Sequence, residues 1–147
     1  MQKKIAIGAD HAGFELKETI KNILKELGYE VVDFGTNSTD SVDYPLIAKT
    51  LATSVATRNP EKGILICGTG IGMSIAANKI KGIIAAHCTD IETAKLARQH
   101  NNSNVLTIGG RTTDPSVAKE IVKVWLETGF EGGRHLRRVQ EIRDLER

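Results

Sequence analysis

The sequence predicts an α/β fold of three layers, a parallel five-stranded sheet with helices on both faces and an extra C-terminal helix. Short apolar runs alternate five times with longer stretches of helical periodicity, a pattern that gives parallel strands joined by crossover helices. The runs themselves, such as "GILIC" at 63–67, are apolar without alternation, as strands covered on both faces are. The chain has 147 residues, 40% hydrophobic and 26% charged, which suits one domain, 1–147, able to bury a real core.

"KKIAIG" is the first strand and residues 14–27 the first helix, with Leu16, Ile20, Ile23, Leu24 and Leu27 on one face and Gly28 as its stop. "YEVVDFG" is the second strand. Asp43 and Pro45 open a helix whose Ile47, Leu51 and Val55 share a face. "GILIC" is the third strand, followed by a helix over 71–79. "GIIAAHC" is the fourth; "TDIE" after it reads as a capping box with Thr89 as cap and Glu92 as its partner, the helix reaching His100. "NVLTIGG" is the fifth strand. Asp114 then caps a helix with Pro115 at its first position and Gly129 at its end. A last helix begins near Gly133 with Leu136, Val139 and Ile142 apolar.

Right-handed crossovers leave few topologies, and the Rossmann-like, flavodoxin-like order 2-1-3-4-5 is the expected one. Ligands of such sheets bind where the chain reverses direction, here between strands 1 and 3. The loops meeting there are "GADHAG" and "CGTGIG", which sets Asp10 and His11 beside Cys67.

Composition narrows the function. The formal net charge is +2, which indicates neither a nucleic-acid nor a membrane partner. No apolar run approaches the ~20 residues of a membrane span, and the apolar stretch in "MQKKIAIGAD" is too short for a signal peptide. Cys67 and Cys88 both end apolar strands, which is no disulfide framework and suits a reducing cytoplasm.

Gly68, Gly70 and Gly72 leave backbone N–H groups open beside a helix N-terminus, a cradle for phosphate or a developing oxyanion; a tight turn needing glycine is the plainer alternative. The spacing G-x-G-x-G is not the dinucleotide fingerprint, and no Lys-Ser/Thr marks a P-loop. Cys67 reads equally as a buried strand-end residue or as a base or nucleophile, since strand-end dipoles and the helix N-terminus favour a thiolate over a thiol of pKa ~8.5. Cys88 has no such loop and reads as structural. His11 lies on the reversal loop, His100 completes a helix C-terminus, and His87, inside a strand, reads as a core residue. Arg134 and Arg138 are four apart and could grip one phosphate from one helix face, or simply belong to a solvated amphipathic helix.

Together "GADHAGFELK", "DYP", "GILICGTGIGMSIAANK", "RQHNNSNVL" and "EGGRHLRRV" resemble the type B ribose-5-phosphate isomerases over essentially the whole chain. Galactose-6-phosphate and allose-6-phosphate isomerases share the fold and part of these motifs. The resemblance implies that Cys67 moves a proton between C1 and C2 of the open-chain sugar. His100 would open the furanose ring, with Asp10 assisting. Gly68, Thr69, Gly70, Ile71 and Gly72 would stabilise the enediolate oxygens. His11, Arg134 and Arg138 would hold the phosphate, with Arg111, Asn101 and Tyr44 completing the pocket. It further implies no metal and no cofactor, and a homodimer, or a tetramer of such pairs, with sites shared between subunits. An aldose–ketose exchange needs a positioned base and fixed N–H donors at the developing oxyanion, which is why thiol and glycines would adjoin.

Three positions depart from the family. One branch carries a glutamate base where this chain has Met73, Ile84 replaces an arginine of the fourth strand, and His87 is unusual. The rival readings are isomerisation of a six-carbon aldose phosphate (allose 6-phosphate or galactose 6-phosphate) and a non-catalytic sugar-phosphate-binding module, which has no need of Cys67 or His100. A response-regulator-like domain needs a lysine after strand 5, where "NVLTIGGRT" has none.

Overall fold

The computed structural model describes residues 3–146; Met1, Gln2 and Arg147 lie outside the described residues, and so do the ends of the expected domain and of the N-terminal stretch. The chain runs β1 (Lys3–Ala9), α1 (Phe14–Glu26), β2 (Tyr29–Asp33), α2 (Tyr44–Ala56), β3 (Gly63–Cys67), α3 (Ile71–Asn78), β4 (Ala85–His87), α4 (Ile91–Gln99), β5 (Val105–Gly109), α5 (Pro115–Glu127) and α6 (Arg134–Arg143). All strand pairs are parallel, as expected.

The order across the sheet is β2-β1-β3-β5-β4, so the expected order is corrected at its last two strands. β5 is buried throughout and lies inside, whereas β4 is three half-buried residues at the edge. "GIIAAHC" is apolar enough for a longer central strand, but only 85–87 pair. The faces obey the right-handed rule. α1 and α4 lead to strands on one side of their predecessors and pack with α5 against Ile5, Ile7, Ile64, Ile66, Leu106 and Ile108. α2 and α3 lead the other way and pack on the opposite face against Ala6, Leu65, Cys67 and Val105.

Local signals explain most boundaries. Gly28, at φ +91, follows the Leu27 cap of α1, a conformation that costs glycine little. Asp114 caps α5, its side chain accepting from the Ser116 N–H, with Pro115 in the first turn. The cap of α4 is corrected: Asp90, not Thr89, accepts from the Thr93 N–H at 2.7 Å. α6 starts after Gly133 as expected, but only Val139 is buried, while Leu136 and Ile142 are exposed. Among the described residues no helix is long and apolar enough to cross a membrane.

Candidate active site

Cys67 ends β3 at the carboxyl edge of the sheet and is 5% exposed. Its Sγ accepts a hydrogen bond from the Gly70 N–H at 3.2 Å. Gly70 makes that turn possible because it sits at φ +83 as the cap of α3. A Cβ there would stand 2.7 Å from the His87 ring and 2.8 Å from the Ile108 carbonyl carbon, so only glycine fits. The Thr69 hydroxyl accepts from the Ile71 N–H at 3.2 Å. Gly72 lies under Tyr44, whose ring would meet a Cβ at 2.6 Å. Met73 points into the core, fully buried, and has no access to the loop surface.

Two neighbouring strand ends converge on this loop. After β1, the Asp10 N–H donates to the Ile66 carbonyl at 3.1 Å. The buried Asp10 carboxylate accepts from the Ala12 and Gly13 N–H groups at 3.0 and 3.1 Å, which fixes the turn carrying His11. The Val42 N–H donates to His11 Nδ1 at 3.2 Å. That nitrogen is therefore unprotonated, and Nε2 carries the proton of the neutral ring. After β5, the Gly110 N–H donates to the Cys67 carbonyl at 2.7 Å and the Arg111 N–H to the Gly68 carbonyl at 3.0 Å. The exposed Arg111 side chain lies alongside, its Nη1 3.8 Å from where a Gly68 Cβ would stand. The corrected strand order is what seats Arg111 here.

The structure thus brings together Asp10, His11, Tyr44, Cys67, Gly68, Thr69, Gly70, Ile71, Gly72 and Arg111. It puts His100, Asn101, Arg134 and Arg138 elsewhere. His100 caps the C-terminal end of α4, and a helix that leaves the carboxyl edge must end at the amino edge. Nine residues at ~1.5 Å each carry it about 13 Å away, far beyond hydrogen-bond reach of Cys67. The start of α6 lies with it, for the Glu131 N–H donates to the Gln99 carbonyl at 3.1 Å. At the other end of α6, the Gly82 N–H donates to Glu146 at 2.9 Å.

Three features of this edge are missed by sequence reasoning. The His135 ring stacks on His100 at 4.2 Å, and the Glu131 carboxylate approaches both, at 3.6 Å from His100 and 3.8 Å from His135. Burial, then the charges of His100 and Arg134, holds the His135 imidazolium below its ordinary range. Arg98, buried, braces the corner that carries His100. It donates to the carbonyls of Thr128 and Ser103 and to Asn102, and Trp125 donates to Ser103 Oγ at 2.9 Å. Of the remaining residues, Cys88 is structural as expected: burial, with Asp90 adding, pushes its thiol up to about 11 against a hydrogen bond from Thr93. His87, expected in the core, is half-buried and lies behind the loop, against Gly70 and 3.4 Å from Thr107 Oγ1.

Comparison with known proteins identifies the family. The family model described as Ribose/Galactose Isomerase matches residues 5–142. Ribose-5-phosphate isomerase B of Escherichia coli K12 is 51% identical over 98% of this chain and 97% of its own. D-erythrulose-4-phosphate isomerase of Pectobacterium atrosepticum is 45% identical over 94% and 91%. The solved ribose-5-phosphate isomerase B of Clostridium thermocellum superposes with a TM-score of 0.96 at 48% identity, covering 97% of each chain. Fold and full-length identity coincide, and the chain belongs to the ribose/galactose isomerase family.

Proposed function

We propose that this chain is a cytoplasmic aldose–ketose isomerase interconverting ribose 5-phosphate and ribulose 5-phosphate, as one sugar-phosphate isomerase domain acting in a homodimer. The observation that carries the reading is the thiol of Cys67, held by the Gly70 N–H at the meeting point of the loops after β1, β3 and β5. A thiolate there takes the C2 proton of the open-chain aldose and returns it to C1, while the hydroxyl proton crosses in the same sense from O2 to O1. The enediolate oxygens face the loop 68–72, where the Gly70 and Ile71 N–H groups hold Cys67 Sγ and Thr69 Oγ1 in place. The N–H groups of Gly68, Thr69 and Gly72 serve as fixed donors as charge develops. Asp10 orients the loop, Tyr44 lines the pocket, and Arg111 and His11, donating through Nε2, meet the polar end of the substrate.

The second half of the site comes from another copy. His100 opens the furanose, with Asn101 beside it, and Arg134 and Arg138 hold the phosphate. The half-sites each adjoin exposed apolar side chains, Leu46, Ile71 and Ile75 at one edge and Leu136, Ile142 and Leu145 on and after α6. Two-fold pairing covers both sets at once.

The test is turnover of ribose 5-phosphate by the protein, by Cys67→Ala, by Arg138→Ala, and by an equal mixture of the two variants refolded together. Each variant alone is expected to be inactive. Random pairing makes half the dimers mixed, each with one intact site, so the mixture recovers about a quarter of the wild-type rate. No recovery would sink the shared site; no turnover by the unaltered protein would sink the reaction. Faster conversion of allose 6-phosphate would keep the chemistry and change the substrate.

A further inference from the structure

His100, Glu131 and His135 offer one ligand atom each, all within 4.8 Å of one another. We propose that these three side chains bind a zinc ion or a similar borderline transition metal, and that the bound ion shuts off ring opening by occupying His100; the second part rests on the role given to His100 above. Tetrahedral zinc at ~2.0–2.1 Å from each ligand holds neighbouring ligand atoms roughly 3.3–3.5 Å apart. The His100–Glu131 and Glu131–His135 separations are 3.6 and 3.8 Å, so the carboxylate pairs close onto an ion with a few tenths of an ångström of movement. The near-parallel imidazoles, 12° apart, present Nε2 atoms to the same carboxylate oxygen, and a modest tilt of the rings converges them.

The backbone under the cluster is tied down. The Glu131 N–H donates to the Gln99 carbonyl, the His135 N–H to the Gly132 carbonyl, and Arg98 anchors the turn after α4. Two imidazoles and one carboxylate are a nitrogen-rich set that suits zinc, cobalt or nickel, and they leave a fourth position open. A single carboxylate among the three ligands disfavours calcium and magnesium, ions that depend on oxygen ligands.

The experiment is calorimetric titration of the chelator-treated full chain with zinc chloride, without substrate. It is repeated on His135→Gln, Glu131→Gln and Cys67→Ser, with each protein's metal-free turnover compared with its own turnover in zinc. One ion per subunit is expected, weakened at least about tenfold by either His135→Gln or Glu131→Gln, as loss of a ligand should do, and unaffected by Cys67→Ser. No binding, or binding insensitive to both ligand substitutions, overturns the site. Loss of binding in Cys67→Ser alone puts the metal on the thiol and overturns it as well. Binding as expected with undiminished turnover keeps the site and overturns the inhibition. If the metal-free protein turns over no sugar phosphate, the isomerase reading fails while the calorimetry still decides the site.

Discussion

Replacing Gly70 with alanine probes a residue that sets both the turn of the loop and the hydrogen bond to Cys67 Sγ. The residue sits at φ +83, a left-handed conformation that costs an L side chain ~1–2 kcal/mol. The new methyl would stand 2.7 Å from the His87 ring and 2.8 Å from the Ile108 carbonyl carbon. The ring can retreat, but a β5 backbone atom cannot, and overpacking of this kind costs ~1–3 kcal/mol. Together they predict roughly 2–5 kcal/mol of destabilisation, a fall in melting temperature of about 5–15 °C for a domain of this size. Any relaxation also swings the Gly70 N–H away from Cys67 Sγ and shifts the neighbouring loop N–H groups, so on the proposed mechanism kcat should fall ~10²–10³-fold. The matched control is Gly72→Ala, where φ is not positive and the contact is the ring of Tyr44, which is 37% exposed and free to move. Thermal melts and steady-state turnover of the two variants decide the matter. If Gly70→Ala keeps its melting temperature and turnover within twofold, or if Gly72→Ala is the more damaging, the loop is not built as argued.

The ammonium of Lys17 is fully buried and donates to both oxygens of Asp33, at 2.9 and 2.7 Å, while the more exposed Lys21 reaches one at 2.8 Å. Denaturant melts should therefore rank Asp33→Asn, which strands a buried cation at a cost of ~3–5 kcal/mol, above Lys17→Met, and both above Lys21→Met at ~1 kcal/mol or less. Burial alone would raise the Asp33 carboxyl, but hydrogen bonds from Lys17, Lys21 and the Gly35 N–H outweigh it and leave it below its ordinary value of 3.8. Its contribution is then complete above that value and lost as pH falls through the lower folded one, so Asp33→Asn should flatten the acid end of the stability profile. Native alkylation by iodoacetamide should reach Cys67 before Cys88, whose thiol at about 11 is ionised to about one part in a thousand at pH 8; peptide mapping that finds Cys88 labelled first refutes this. Arg98→Ala orphans two carbonyls and should cost ~2–4 kcal/mol, and turnover should fall through displacement of His100, measured as kcat loss below the melting temperature.

What could be read from the sequence follows the range of the interactions involved. Asp114-Pro115 and Gly28 act within one turn of their own helices, so their positions were legible. At "TDIE" both Thr89 and Asp90 can cap, and the choice depends on backbone geometry that composition does not encode. The place of β4 was not legible, because an apolar run does not say how many of its residues find partners, and "GIIAAHC" pairs over only three. Asp10, His11, Cys67 and the glycines after it were readable since they follow directly from strand ends, whereas Tyr44 and Arg111 came only with the family resemblance. Lys17 was readable in principle, sharing the α1 face of Ile20 and Leu24, yet its partner Asp33 lies on β2. Glu131 and His135 reach His100 only through the packing of the α5–α6 corner on the end of α4, a contact over more than thirty positions with no local signature.

The same topology explains why the residues of the proposed site fall into two groups at opposite edges of the sheet. In a parallel sheet every loop that follows a strand lies at one edge, and every helix returns its last turn to the other. Cys67 at the end of β3 and His100 at the end of α4 are therefore kept apart by the height of the sheet, whatever their rotamers. No rotamer of His100 spans the ~13 Å that α4 descends. In the proposed dimer a second copy, inverted by a two-fold axis, would set its amino edge against the carboxyl edge of the first without altering either. Arg111 is the exception that fits the rule: because β5 lies next to β3, it follows a strand end and needs no partner to reach the glycine loop. Asp10, His11, Cys67 and Arg111 can thus evolve within one chain, whereas in the proposed dimer His100, Arg134 and Arg138 would serve the reaction across an interface.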